Sequence, residues 1–293
     1  MKKLVLSILW NTPNGRIELW QNEEGTYWEL RLDGGLQWTS RDEHRYHQVL
    51  FGFPPSLLEG EIDVLVLGGG DGLGVRELLK WEHVKGILLI DISREMVSLA
   101  RSDPRFTALN LQSLNDPRVE VVIDDAFFAV KKLKERFDLV IADYPDPSAR
   151  EDNQVNRLFS KEHFKDIRKL LKEEGVFALQ ATSSFVSPNV YRWIYLQLKE
   201  VGFLNILPLR INTPGWGDVA FYVCNLQREM SIKKPLKGFF FNEETLRYLI
   251  PVFEDEKPTF PDEVLKTKTL HELVYYDLNL HNPSLRFLKG GGK

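Results

Sequence analysis

The sequence predicts a doubly wound, mostly parallel α/β sheet preceded by a small antiparallel β unit. Three observations predict it. From Asp63 onward, apolar runs of strand length alternate with helical patterns. The first run, Val64-Leu65-Val66-Leu67, leads straight into the turn Gly68-Gly69-Gly70-Asp71-Gly72-Leu73-Gly74. The residues before it read as short, aromatic-rich, alternating segments separated by turn signals. The chain has 293 residues, 43% hydrophobic and 27% charged, which is enough to bury a substantial core.

In chain order, residues 4–39 alternate through Ile17, Leu19, Tyr27, Leu30 and Leu32, with Pro13-Asn14-Gly15, Glu24-Gly25 and Asp33-Gly34-Gly35 as turns. Met1-Lys2-Lys3 and the apolar residues after it imitate a secretion signal. The run is short and no small-residue cleavage site follows, so it is read as a strand. Residues 41–50 look helical, and Pro54-Pro55 ends that pattern. Five strands are expected at 64–67, 87–91, 119–123, 137–142 and 176–180, the first near-continuously apolar and suited to burial on both faces. Helical spacing falls at 75–81, 94–100, 127–133, 162–171 and 190–200. Segments 204–209 and 219–224 flank Asn212 to Asp218 as a hairpin closing the sheet. Beyond Lys233, helices are expected at 243–253 and 270–277, and the Gly290-Gly291-Gly292-Lys293 end as disordered.

Composition excludes several classes. A net charge of −4 without a long basic run gives no general attraction to phosphate backbones, so no nucleic-acid partner is expected. No apolar run approaches the ~20 residues that span a bilayer, so no membrane partner is expected either. The lone Cys224 rules out an internal disulfide and fits a reducing cytoplasm. The six histidines show no ligand-like spacing, so no metal is expected. His44 and His47 read as helix-surface or pocket-wall residues.

Acids end or follow the expected strands: Asp71, Asp91, Asp125 and Asp143, with Gln180 ending the fifth. Ligands of doubly wound sheets sit beyond these carboxyl ends. The glycines of the turn permit positive φ and close approach of the backbone to a ligand. Asp91, about twenty residues on, stands where an acid commonly holds a ribose. Asp125, one strand later, is placed to accept from the exocyclic amine of an adenine. Each is equally readable as a helix cap or loop acid. Asp71 would repel a phosphate in the glycine turn and attract an ammonium group; its alternative is a cap of the following helix.

Several motifs agree in order and spacing with one family. Leu32-Asp33-Gly34-Gly35-Leu36-Gln37, Asp42-Glu43 with Tyr46-His47, Gly68-Gly69-Gly70-Asp71-Gly72 and Asp143-Tyr144-Pro145-Asp146-Pro147 resemble the spermidine synthases, the polyamine aminopropyltransferases, over residues 17–225. The resemblance implies an N-terminal β domain with a gating helix (1–50) and a seven-stranded class I methyltransferase-like domain (51–232); the pattern beyond them reads as a C-terminal helical extension (233–293). It implies decarboxylated S-adenosylmethionine as co-substrate and a diamine or polyamine as acceptor. Asp71 and Gln37 then resemble the pair holding the aminopropyl ammonium, with Gly68, Gly69 and Gly70 as the cradle. Asp91 resembles the ribose acid and Asp125 the residue facing the adenine amine. Asp143 is similar to the catalytic aspartate, with Tyr46 beside it. Asp146, His47, Gln180 and Trp216 resemble the acceptor pocket. A homodimer or homotetramer is implied as well.

The chain also departs from the family pattern. Tyr144-Pro145 stands where relatives carry small hydroxyl residues, Ser148 to Asn156 forms a longer polar loop, and a glutamine of the N-terminal unit is missing near Asn14-Gly15. Gln180-Ala181-Thr182-Ser183, the Trp216 loop and Tyr275-Tyr276 resemble the catalytic part of bacterial spermidine-synthase-like proteins that carry membrane helices. These departures bear on the acceptor more than on the co-substrate. Two rivals share the fold: a methyltransferase using intact S-adenosylmethionine, and a non-catalytic relative that binds polyamine or nucleoside.

Overall fold

Val64, Leu65, Val66 and Leu67 are fully buried, and the strand they form is the centre of the molecule. The computed structural model describes residues 4–12, 15–215, 217–227, 229–249 and 259–278. Successive side chains of a strand point to opposite faces. Leu65 and Leu67 accordingly join one apolar cluster, and Val64 and Val66 the other.

The N-terminal unit is an antiparallel meander of β1 (Leu4–Thr12), β2 (Gly15–Asn22), β3 (Trp28–Leu32) and β4 (Gly35–Thr39). Helix α1 (Glu43–His47) continues through a π turn at Gln48–Gly52 and a 3₁₀ turn at Pro54–Leu57. Alternation then runs through β5 (Ile62–Gly68), α2 (Leu73–Leu78), β6 (Val84–Asp91), α3 (Arg94–Ser102), α4 (Pro104–Asn110), β7 (Val119–Ile123), α5 (Ala126–Ala129) and β8 (Phe137–Asp143). It continues through α6 (Lys161–Lys169), β9 (Leu171–Gln180), α7 (Pro188–Val201), β10 (Asn205–Thr213) and β11 (Gly217–Asn225). Among the described residues the larger sheet has seven strands in the order β10-β11-β9-β8-β5-β6-β7. Strands β9, β8, β5, β6 and β7 are parallel, and β11 pairs antiparallel with both neighbours. The chain moves outward in one direction from β5 to β7 and returns on the other side at β8, so the switch point lies between β5 and β8.

A third apolar cluster joins the meander to the helices that cover the larger sheet. Ile17, Leu19, Leu30 and Trp38 of the meander pack with Leu73, Met96 and Phe106 at the start of α2, on α3 and on α4. The N-terminal unit therefore lies over the glycine turn.

Some elements differ from expectation. Helix α4 was not expected, although its start is signalled: Asp103 caps it through the Arg105 N–H at 3.0 Å, and Pro104 occupies the first turn. The pattern at 127–133 gives only the short α5, and at 243–253 the described part holds a 3₁₀ turn, Leu246–Leu249. Gly290 to Lys293 lies outside the described residues. Among the described residues no helix is long and apolar enough to cross a membrane.

The described part of the C-terminal extension packs on both faces of the large sheet. Leu236, Phe241 and Leu249 enter the cluster of Val64 and Val66, whereas Leu265, Leu270, Leu273 and Val274 enter that of Leu65 and Leu67. The last four belong to α8 (Asp262–Thr267) and α9 (Leu270–Tyr276). Asp277, fully buried, accepts from the Asn189 amide at 2.6 Å and from the Val190 N–H at 3.1 Å. Removing this acceptor strands two buried donors at the start of α7. Asp277→Ala is therefore expected to lower unfolding free energy by about 2–3 kcal/mol in urea titration. An unchanged midpoint would mean that the extension is not anchored there.

Candidate functional site

Parallel pairing across the switch point sets Gly68 beside Asp143. Gly68 (φ +86°) and Gly69 (φ +70°) adopt left-handed backbone, and a Cβ on Gly68 would run into the Asp143 carbonyl oxygen. The turn is thus tight because the neighbouring strand end is so close. Its far side is held by Asp91, the last residue of β6. Asp91 accepts from the Gly70 N–H at 2.9 Å and from the Ser93 N–H at 2.7 Å.

Asp71 sits at the crest of the turn. One oxygen accepts from the Leu73 N–H at 3.0 Å, and the other accepts from the Trp38 indole at 2.9 Å. Asn110 donates to its backbone carbonyl at 2.9 Å. Asp71 therefore both serves the start of α2 and lines the site. Asp125 likewise caps α5 through the Phe127 N–H at 2.9 Å, while its second oxygen pairs with Arg157.

Gln37 reaches the site through an irregularity in the meander. The β3–β4 ladder passes from Leu30 opposite Trp38 to Arg31 opposite Leu36, which leaves Gln37 as the extra residue of a bulge. Tyr46 of α1 donates its hydroxyl to Asp143 at 2.5 Å. At the end of β9 the Gln180 amide nitrogen donates to Asp146 at 2.5 Å. The Gln180 Oε1 is buried with no hydrogen-bond partner among the described residues.

These groups surround one cavity of about 650 Å³, a size that suits a small-molecule ligand. Every site residue expected from the sequence lines it except Trp216, which lies outside the described residues. His44 is not among the lining residues and packs edge-on against Phe240. Trp38, Arg157 and Asn110 were not anticipated. Trp38 is adjacent to Gln37, yet no sequence signal shows that its indole reaches Asp71 33 positions away. Arg157 meets Asp125 across 32 positions, and the Asn110 amide reaches Asp71 across 39.

The cavity is acidic: Asp71, Asp91, Asp125, Asp143 and Asp146 line it, with Arg157 and His47 as the opposing basic groups. His47 is buried, its Nδ1 2.8 Å from a Glu43 carboxylate oxygen, and Arg76 donates to both Glu43 oxygens at 2.9 Å. Burial works to raise the Glu43 carboxyl, but the hydrogen bonds and charges of His47 and Arg76 prevail and hold it at about 2. Burial works to lower His47, and Glu43 reverses the balance, raising its pKa. Asp143 keeps part of its surface on the cavity while lying deep in the protein. That depth pushes its pKa up to about 6 against the charge of His47 and the Tyr46 hydrogen bond, with Asp71 and Asp91 adding to the rise. Burial, followed by the charge of Asp143, pushes the Tyr46 hydroxyl well above its ordinary value, so it remains a donor. Such a site suits a ligand with cationic groups and contains a carboxylate able to take up a proton near neutral pH. Among the described residues no group of three or more His, Cys, Asp or Glu is arranged to hold a metal ion.

A sequence profile of the spermine/spermidine synthase domain matches residues 43–252. The polyamine aminopropyltransferase of Oceanobacillus iheyensis is 34% identical over 243 residues, covering 82% of this chain and 47% of the relative. That of Leptospira interrogans is 33% identical over 262 residues, covering 88% and 50%. The chain thus spans about half the length of the curated relatives it matches. Among solved structures, spermidine synthase from Thermotoga maritima superposes with a TM-score of 0.71 at 25% identity, covering 89% of this chain and 86% of that one. A spermidine synthase in complex with the transition-state analogue AdoDATO gives 0.72 at 25% identity, covering 89% and 87%. The glycine turn, the acids at the strand ends and these matches together place the chain in the spermine/spermidine synthase family.

Proposed function

We propose that the chain is a polyamine aminopropyltransferase that moves the aminopropyl group of decarboxylated S-adenosylmethionine to a diamine such as putrescine. The observation that carries this reading is the carboxylate of Asp71 in the glycine turn, one strand end away from Asp143, in a cavity lined by five aspartates. A co-substrate tail ending in an ammonium is attracted there. The carboxylate of intact S-adenosylmethionine would be repelled, which disfavours methyl transfer on the same fold.

In this reading Asp71 and Gln37 hold the aminopropyl ammonium, with Gly68, Gly69 and Gly70 as the cradle. Asp91 holds the ribose and Asp125 faces the adenine amine. The acceptor lies between Asp143 and the pair Asp146–Gln180, against His47. The unpartnered Gln180 Oε1 is an acceptor suited to an ammonium N–H.

A diamine with pKa values near that of lysine, ~10, arrives protonated and cannot attack. Asp143, oriented by Tyr46, takes the proton of the attacking amine. The nitrogen lone pair forms a bond to the methylene carbon beside the sulfonium, and the carbon–sulfur bond breaks with its electrons passing to sulfur. Neutral 5′-methylthioadenosine leaves, so charge on sulfur is discharged as the new carbon–nitrogen bond forms. Alignment and proton acceptance are the contributions the protein makes.

Purified protein given decarboxylated S-adenosylmethionine is expected to release 5′-methylthioadenosine only when a diamine is added. Release without amine, or none with any diamine, would count against the assignment. A pH dependence follows from Asp143, which must be ionised to accept a proton. With its pKa raised to about 6, kcat/KM is expected to climb as pH rises through that region. The Tyr46 hydrogen bond favours the ionised form, so Tyr46→Phe should move this limb to higher pH. An unmoved limb would separate Tyr46 from the base.

A further inference from the structure

Arg157 lies on the 3₁₀ turn Gln154–Phe159 and lines the cavity beside Asp125, its side chain 26% exposed. Its guanidinium is packed 5.0 Å over the ring of Phe127 and 4.9 Å over that of Phe128. One terminal nitrogen donates to the Asp125 Oδ2 and the other to the Gln154 side-chain oxygen at 2.7 Å. A guanidinium carries five N–H groups, so each terminal nitrogen keeps a second one. The Nε is buried without a partner among the described residues, an unfavourable placement for a residue whose only use is to neutralise Asp125. Asp125 keeps unused acceptor capacity as well, since a carboxylate offers about four lone-pair positions.

The cavity wall therefore presents an acceptor and a charged donor side by side, in an orientation fixed by two aromatic rings. Adenine presents the complementary pair on two of its edges: the exocyclic amine flanked by N1 on one side and N7 on the other. We infer that Arg157 and Asp125 together read the adenine edge, Asp125 accepting from the amine and Arg157 donating to one flanking ring nitrogen. Arg157 is thus a specificity-determining residue for the nucleobase. A purine with a carbonyl in place of the amine turns an acceptor toward Asp125 and is rejected. This inference rests on the adenosyl co-substrate proposed above.

The test is calorimetric binding of 5′-methylthioadenosine and its 1-deaza and 7-deaza counterparts to the parent protein and to Arg157→Ala. The parent is expected to bind one of the two deaza compounds about tenfold more weakly than 5′-methylthioadenosine, the loss of one charge-assisted hydrogen bond. Arg157→Ala should bind 5′-methylthioadenosine about tenfold more weakly and lose that discrimination. A parent that binds all three alike overturns the inference without any substitution being made, and so does a variant that still discriminates. If the parent binds 5′-methylthioadenosine and forms aminopropyl product but ignores both ring nitrogens, only the role of Arg157 fails. If it binds no 5′-methylthioadenosine, the aminopropyltransferase reading fails with it.

Discussion

Asp143→Asn is expected to lower kcat by about 10²–10⁴-fold, the range associated with loss of a positioned proton acceptor. Affinity for the co-substrate should change little. Asparagine keeps the size of the side chain and can still accept from the Tyr46 hydroxyl, so the 2.5 Å contact is retained in form while basicity is lost. Asp143 also borders the glycine turn through its backbone carbonyl beside Gly68, which the substitution does not alter. Rapid-quench kinetics and calorimetry on the same preparation separate the two effects. A variant that turns over normally would remove Asp143 from the reaction, and one that loses co-substrate binding in proportion to kcat would make it a binding residue.

Asp71→Ala is expected to weaken decarboxylated S-adenosylmethionine by about 10–100-fold, as one charge-assisted contact in a partly buried site implies. Intact S-adenosylmethionine should bind as well as before or better, because the repelling carboxylate has gone. The substitution also removes the acceptor for the Leu73 N–H and the Trp38 indole. Asp71→Asn, which preserves an acceptor at that place, therefore serves as its partner. Both should lower the ratio of affinities for the two co-substrate forms. A ratio unchanged in both variants would mean that the charge of Asp71 does not select the tail.

The parts of the molecule legible in the sequence are those fixed by short-range pattern. The run Val64 to Leu67 announces a strand buried on both faces, and the acids at 71, 91, 125 and 143 fall at the ends of their strands because period and turn chemistry are local properties. The acids converge because every parallel strand presents the same end to the switch point. What was illegible depends on distant partners or on backbone irregularity. The bulge that turns out Gln37 depends on how β3 meets β4, which no residue of either strand announces. The contacts of Trp38 with Asp71 and of Arg157 with Asp125 join elements far apart in the chain. The docking of the C-terminal extension runs through Asp277 and Asn189, 88 positions apart. The spacing at 127–133 reads as a longer helix because Leu133 continues the apolar pattern, although α5 ends at Ala129.

In the proposed function the turn carrying Asp71 selects a cationic tail and Asp143 then directs the aminopropyl group to an amine. Its most direct test is a competition. Purified protein receives equal concentrations of decarboxylated and intact S-adenosylmethionine with putrescine, and the amine products are read by mass spectrometry. The expected result is an aminopropylated amine with a stoichiometric amount of 5′-methylthioadenosine and no methylated amine. Methylated amine with S-adenosylhomocysteine, and no aminopropyl product, would contradict it.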